Sequence, residues 1–138
     1  IKPINHFISD NIKKIGLPFE VKLDETFSAE VKSLGVPVDH DTLSTGENKV
    51  INVCILVAYL RLIRTKTSVN VLFLDEVFSS IDIDNISHIL TLLKSFSQEY
   101  NINIFVVHHA LLNQEMFDRI IKIEKNIFSS ISEVAIND

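Results

Sequence analysis

The hexapeptide Val71-Leu72-Phe73-Leu74-Asp75-Glu76 ends an apolar run on two adjacent acids, an arrangement that folding alone seldom requires. A short run of Val, Leu and Phe bounded by polar residues predicts a fully buried strand of an α/β sheet. Such sheets place ligands at the carboxyl ends of their strands. Two carboxylates there repel each other and lose hydration, which is costly unless a cation or a bound water makes use of them. On that reading Asp75 holds Mg²⁺ and Glu76 a water; the competing reading is a strand that ends in a polar turn. Leu43-Ser44-Thr45-Gly46-Glu47 contains the pattern of a capping box, with the Ser44 hydroxyl on a free N–H and the Glu47 carboxylate reaching back to the Ser44 N–H. The same residues offer a hydroxyl, a flexible glycine and the positive end of a long helix, which is an anion site for phosphate oxygens. The two readings are compatible. His108-His109 follow a second apolar run, at the same sheet edge as Asp75 and Glu76 if the strands are parallel. A histidine there could donate a hydrogen bond to a terminal phosphate or to an attacking water, against the alternative of an ordinary loop histidine. Joint metal binding by the two is disfavoured, because neighbours on an extended chain point to opposite faces.

These residues need elements to position them. Residues 4–15 carry Ile4, Phe7, Ile8, Ile12 and Ile15 at helical spacing, stopped by Gly16 and Pro18. Residues 19–23 alternate like a half-buried antiparallel strand, and a second strand over 27–31 would complete a hairpin. Residues 34–41, with Gly35 and Pro37, read as a loop. The helix from Gly46 to about Arg64 is apolar almost all round and must be buried on several sides. Residues 65–70 turn the chain into the strand at Val71. After the acids, Ser79-Ser80-Ile81-Asp82 is a polar loop, followed by a helix with Ile86, Ile89, Leu90, Leu93 and Phe96 facing the sheet. Residues 103–107 form a second buried strand reached through that helix, so a right-handed crossover and parallel pairing are expected. A short helix near 111–117 and an edge hairpin of 120–124 with 127–134 end the chain. There is no internal repeat and no low-complexity segment.

With 138 residues, 46% hydrophobic and 22% charged, the chain can bury a single core, and one domain is expected. A net charge of −5 argues against a generally basic nucleic-acid surface. Lys13-Lys14 and the Arg61/Arg64/Lys66 group remain as local basic candidates, against the alternative of solvated helix faces. The single cysteine, Cys54, lies in an apolar helical run and reads as core filler in a reducing, cytoplasmic setting. The longest apolar stretch, 50–63, is interrupted by Asn52 and Arg61 and is too short to span a bilayer. No signal peptide is visible. A first residue of Ile1 reads as a fragment or an excised domain.

A helix-opening serine-glycine loop, an apolar strand ending Asp-Glu, a Ser-x-x-Asp turn and an apolar strand ending in His occur here in that order. This order resembles the head of an ABC-type ATPase. Residues 43–47 are similar to the signature loop, 71–76 to the Walker B strand, 79–82 to the D-loop and His109 to the switch histidine. The Glu47 that closes the signature, the residues around Asp75-Glu76 and the preceding strand pair are most similar to the DNA-repair and chromosome-maintenance branch rather than to membrane transporters. Within it, the large ATPase subunit of phage recombination nucleases and SMC-type proteins are the nearest likeness, which covers 43 to about 110 specifically. Thr45 stands where the commonest signature has glycine, and a β-branched residue restricts the backbone there. Gly16, Gly35 and Gly46 are the only glycines and none precedes a lysine, so no Walker A loop can be built from them.

The resemblance implies that this loop lies in an N-terminal lobe, separated from the present chain by a coiled coil that residues 1–16 would end or follow. The implied fold is α/β: a P-loop NTPase-like C-terminal half-domain over 1–138, with a short mostly parallel sheet, flanking helices and β-hairpins. The implied cofactors are ATP and Mg²⁺. Asp75 would bind the metal, Glu76 would orient or deprotonate the attacking water, and His109 would sense the γ-phosphate. Ser44, Thr45, Gly46 and Glu47 would close over nucleotide held by a second head, with Asp82 linking the two sites. The implied partners are the Walker A lobe of the same protein, a second head in a homodimer, a nuclease subunit and DNA, with no membrane; the isolated chain would hydrolyse no ATP. Two other classes stand beside this one. One is a non-catalytic scaffold that keeps the fold. The other is a metal-dependent phosphoesterase using Asp75, Glu76 and the two histidines, which fits less well because the remaining Asp and His lack ligand spacing.

Overall fold

Ile4, Ile8, Ile12 and Ile15 lie along one buried stripe of helix α1 (Lys2–Ile15), which opens with Pro3 in its first turn. Gly16 ends it in the left-handed conformation (φ 73°), with the Gly16 N–H on the Lys13 carbonyl at 3.1 Å and the Leu17 N–H on the Ile12 carbonyl at 3.3 Å. This paired arrangement satisfies carbonyls that a helix end otherwise leaves open. The computed structural model describes residues 1–64, 66–109, 112–125 and 129–134. They form two compact units, Ile1–His108 and His109–Asp138.

In the first unit, strands β1 (Phe19–Leu23), β2 (Ala29–Ser33) and β3 (Val36–Val38) make an antiparallel sheet in that order. Val21, Leu23 and Val31 face the core. Strand β1 starts and ends where the alternation places it. The second strand begins later than residue 27, because Phe27 (φ 63°) belongs to a turn organised by Asp24. The Asp24 carboxylate accepts from the Thr26 and Ser28 N–H groups at 2.7 and 3.0 Å, and the Thr26 hydroxyl holds its carboxyl below the usual range. The stretch expected to be a loop contains β3. Leu34 and Gly35, both at positive φ (50° and 79°), make a two-residue hairpin turn, and Pro37 is tolerated because β3 is an edge strand. The Asn5 amide joins helix to sheet: it donates to the Leu23 carbonyl at 2.8 Å and accepts the Leu23 N–H at 2.7 Å, standing in for a neighbouring strand.

Helix α2 (Thr45–Ile63) buries Val50, Ile51, Val53, Cys54, Val57, Ala58 and Leu60, which explains its lack of a polar face. It packs between α1 and α3 (Ile83–Tyr100). The apolar side of α3 therefore meets α2 and α1 as well as strand β5 (Asn103–Val107), rather than the sheet alone. Buried Asn11 on α1 donates to the Cys54 carbonyl on α2 at 2.8 Å, while its own Oδ1 meets no donor among the described residues. Burial pushes the Cys54 thiol up to about 12, consistent with a packing role. Arg61 departs from the expected solvated or nucleic-acid-facing surface. It is buried, pairs with Glu99 at 2.6 Å, and lies 5.9 Å from the ring centres of both Phe7 and Tyr100. Arg64 donates to the Val69 carbonyl at 2.6 Å and lies 5.3 Å from the Tyr100 ring centre.

Strand β4 (Val71–Asp75) and β5 pair in parallel through α3, with Val71 opposite Asn103 and Asp75 opposite Val107. The expectation of a fully buried β4 is corrected here. Leu74 faces the core, but Val71 is 44% and Phe73 69% exposed, as are Phe105 (44%) and Val107 (53%) on the same outer face of β5. Phe73 and Phe105 stack on that face with ring centres 4.8 Å apart.

In the second unit, β6 (Ile120–Lys125) and β7 (Ser129–Val134) form the expected hairpin, with Ile123 opposite Ile131. Arg119 binds Glu133 through two nitrogens at 2.9 and 3.1 Å. The short helix expected over 111–117 is a single 3-10 turn, Gln114–Met116; Leu111 and Ile127 lie outside the described residues. No helix among the described residues is long and apolar enough to cross a membrane.

Candidate functional site

Parallel pairing brings the ends of β4 and β5 level, so the chain leaves Asp75 and Val107 at one edge. Alternation along β4 puts Asp75 on the outer face with Val71 and Phe73, where it is exposed. Glu76 then bends into the left-handed region (φ 52°), a conformation costing on the order of 1–3 kcal/mol for a residue with a side chain. Several bonds hold that bend. The Glu76 N–H still reaches the Val107 carbonyl at 3.0 Å, and the Glu76 carbonyl accepts the Ser79 N–H at 3.2 Å and the Ser79 hydroxyl at 2.8 Å. Buried Phe78 anchors the loop, and the His108 ring meets it edge-on with centres 6.0 Å apart.

His108 Nδ1 lies 3.3 Å from a Glu76 carboxylate oxygen, a pairing that becomes ionic when the imidazole is protonated. The histidine placed against Glu76 within the first unit is thus His108. His109 is exposed and opens the second unit. The expected desolvation of the two acids is not found in this chain: Asp75 is exposed and the Glu76 side chain is 42% exposed, so water still solvates both.

At the start of α2, both arms of the capping box are present. The Glu47 N–H donates to the Ser44 hydroxyl oxygen at 3.1 Å, and the Ser44 N–H donates to the Glu47 carboxylate at 2.8 Å. The hydroxyl acts there as an acceptor, so its own proton remains available to an anion. Ser44 and Thr45 are exposed at the positive helix end.

Gly46 is buried for a reason the sequence did not reveal. A Cβ at this position would lie 2.8 Å from Asp82 Oδ2 and 2.8 Å from Asn85 Nδ2. Asp82 caps α3, accepting the Asn85 N–H at 2.9 Å and the Asn85 side-chain amide at 2.7 Å. Those two donors, the backbone N–H first, hold its carboxyl below the usual range. The structure therefore sets Gly46 directly against Asp82.

A second contact joins the same elements. Lys49, in the second turn of α2, donates to the Ser79 carbonyl and lies 3.3 Å from the Ser79 hydroxyl. Sequence reasoning passed over Lys49 and Asn85. The local signal for Lys49 was a cation in the second turn of a largely apolar helix, and its partner lies thirty positions further on.

Residues 18–95 match the family model described as SbcC/RAD50-like, Walker B motif. The chain is 34% identical over 100 residues to the probable exonuclease subunit 2 of Escherichia phage T5, covering 70% of this chain and 16% of that protein. It therefore spans about a sixth of the length of the curated relative it matches. Among solved structures, the SMC head domain from Thermotoga maritima superposes with a TM-score of 0.76 at 24% identity, over 99% of this chain and 49% of that one. The Smc head domain with coiled coil and joint derived from Pyrococcus yayanosii gives 0.75 at 18% identity, over 97% and 27% respectively.

Proposed function

The chain belongs to the SbcC/RAD50-like Walker B family, and on that footing we propose that it is the C-terminal lobe of an ATP-hydrolysing head that closes on a second head over bound nucleotide. The observation that carries this reading is the uncovered outer face of β4 and β5, where Val71, Phe73, Phe105 and Val107 are exposed beside Asp75. Parallel sheets are stable when both faces are covered. The proposed cover is the lobe bearing the phosphate-binding loop, whose docking would bring the phosphates to the same face as Asp75.

Asp75 offers the hard oxygen that Mg²⁺ prefers, and its exposure leaves that oxygen accessible. Mg²⁺, when bound, would neutralise charge on the β- and γ-phosphates. Glu76 would orient the attacking water and accept its proton, with His108 steadying the carboxylate. His109 would contact the γ-phosphate. Ser44 would donate its hydroxyl proton to phosphate held by the opposite head, beside the exposed N–H groups of α2. Thr45, Gly46 and Glu47 would shape that turn, and Asp82 would carry the link between the two sites. A nuclease subunit and DNA in the cytoplasm complete the proposed setting.

Calorimetry tests the reading. The chain alone should show no micromolar binding of Mg-ATP, whereas a polypeptide that also carries the phosphate-loop lobe should bind it. In that polypeptide Glu76→Gln should keep binding while turnover falls about 10²-fold or more. Micromolar binding by the chain alone, or near-normal turnover in Glu76→Gln, would sink the proposal.

A further inference from the structure

Lys49, Ser79 and Glu76 form a relay that neither the signature turn nor the acidic pair accounts for. The Lys49 ammonium donates to the Ser79 carbonyl and approaches its hydroxyl oxygen at 3.3 Å, and that hydroxyl donates onward to the Glu76 carbonyl at 2.8 Å. The residue at the far end has a left-handed backbone, which surrounding contacts must over-determine if it is to persist. Ser80, the next residue after Ser79, is also left-handed (φ 61°), so the loop has little tolerance for drift. Beside this relay, Gly46 abuts the side chains of Asp82 and Asn85, so the start of α2 lies against the start of α3.

We propose that Lys49 is a positioning residue: by gripping Ser79 it fixes the backbone bend that aims the Glu76 carboxylate, and so ties the N-terminal end of α2 to the readiness of the glutamate. The inference rests on Glu76 being the water-activating group. Lys49 touches Ser79 and reaches Glu76 only through that residue, so its proposed effect is on the aim of the base rather than on nucleotide affinity. A charged donor suits this task, because hydrogen bonds from an ammonium are about twice as strong as neutral ones and hold a loop carbonyl more firmly.

The test uses the intact ATPase polypeptide with steady-state hydrolysis of Mg-ATP. Lys49→Met keeps the stem and removes the donor; kcat should fall about 10-fold or more while KM stays within about 2-fold. Lys49→Arg should recover most of kcat, since a guanidinium can reach the same carbonyl. Ser79→Ala, which keeps the lysine and its carbonyl acceptor but removes the hydroxyl that Lys49 approaches and that donates to Glu76, should lower kcat in the same direction. Combined with Lys49→Met, it should add little, because both interrupt one chain of contacts. Normal kcat in Lys49→Met beside an inactive Glu76→Gln would overturn the inference and leave the ATPase reading standing; normal turnover in Glu76→Gln would overturn that reading itself. A raised KM with unchanged kcat would make Lys49 a nucleotide contact and also overturn the inference. If Lys49→Met fails to fold, Ser79→Ala decides alone, and unchanged kcat there overturns the proposal.

Discussion

Replacing Gly46 by alanine puts a number on the contact between the two helix starts. In the first turn of a helix this exchange ordinarily stabilises by up to about 1 kcal/mol, through better helix propensity and a less flexible unfolded chain. Here the added methyl would sit 2.8 Å from Asp82 Oδ2, 2.8 Å from Asn85 Nδ2 and 3.4 Å from Asn85 Cγ. Those atoms are not loose ends. Asp82 and Asn85 hold each other at 2.7 and 2.9 Å in the cap of α3, so room is made only by opening the cap or shifting α2. Forcing a methyl into a packed site costs about 1–3 kcal/mol, which after a helix gain of about 1 kcal/mol leaves a net loss of up to about 2 kcal/mol for Gly46→Ala. Urea unfolding followed by circular dichroism reads this as a lower midpoint at unchanged m. A background of Asp82→Ser with Asn85→Ala removes both colliding atoms, and there Gly46→Ala should be neutral or stabilising. A stabilising effect in the native background, or the same loss in the cleared one, would refute the reasoning.

Ser44 gives opposite results under its two roles. Ser44→Ala should cost about 1 kcal/mol of stability through the lost cap. Ser44→Arg should abolish nucleotide-dependent dimerisation of the intact protein while sparing monomer affinity; light scattering with non-hydrolysable ATP that shows an unaltered dimer would leave the turn as a cap alone. Cys54 is raised from 9.0 to about 12 by burial, so its neutral form costs nothing below about pH 9 and stability should decline as pH climbs from there toward 12. An aromatic disulfide reagent at pH 8 should label it only after denaturant is added, and prompt labelling of the native chain would contradict its burial. Asp82 is shifted the other way, so its contribution is fully present above the ordinary carboxylate value and is lost as pH falls below it through the lowered folded value. Asp82→Asn should therefore flatten the acid limb of the stability curve, and an unchanged limb would show that the cap is not ionic.

Much of this arrangement was legible from pattern. The strands at 19–23, 71–75 and 103–107 stand where apolar runs and alternation place them, and the Ser44–Glu47 box is formed as its spacing requires. Local chemistry decided those elements. Strand β3 escaped notice because Gly35 and Pro37 signal a loop, yet an edge strand needs no N–H from its proline. The half-bare state of β4 was also illegible, since an apolar run records that a residue is to be covered but not by which segment. Ion pairs and contacts between distant positions, such as Arg61 with Glu99 and Lys49 with Ser79, leave no local trace. For Arg61 the sequence suggested a surface cation, and Lys49 drew no reading at all.

Helix α1 is fastened at two points along its length. The Asn5 amide grips the β1 backbone at Leu23 through a donor and an acceptor, and Asn11 grips the α2 backbone at Cys54. Greasy contacts allow a helix to roll or creep; directional bonds to two other backbones do not. A twist or pull applied along α1 would therefore meet directional bonds to the sheet at one point and to α2 at the other. Since α2 also carries Gly46 and Lys49, a continuous chain of contacts runs from α1 to the loop at Glu76. The buried Asn11, with its oxygen left without a donor among the described residues, costs stability that a leucine would not. What that cost secures is a helix held in one register against both the sheet and α2.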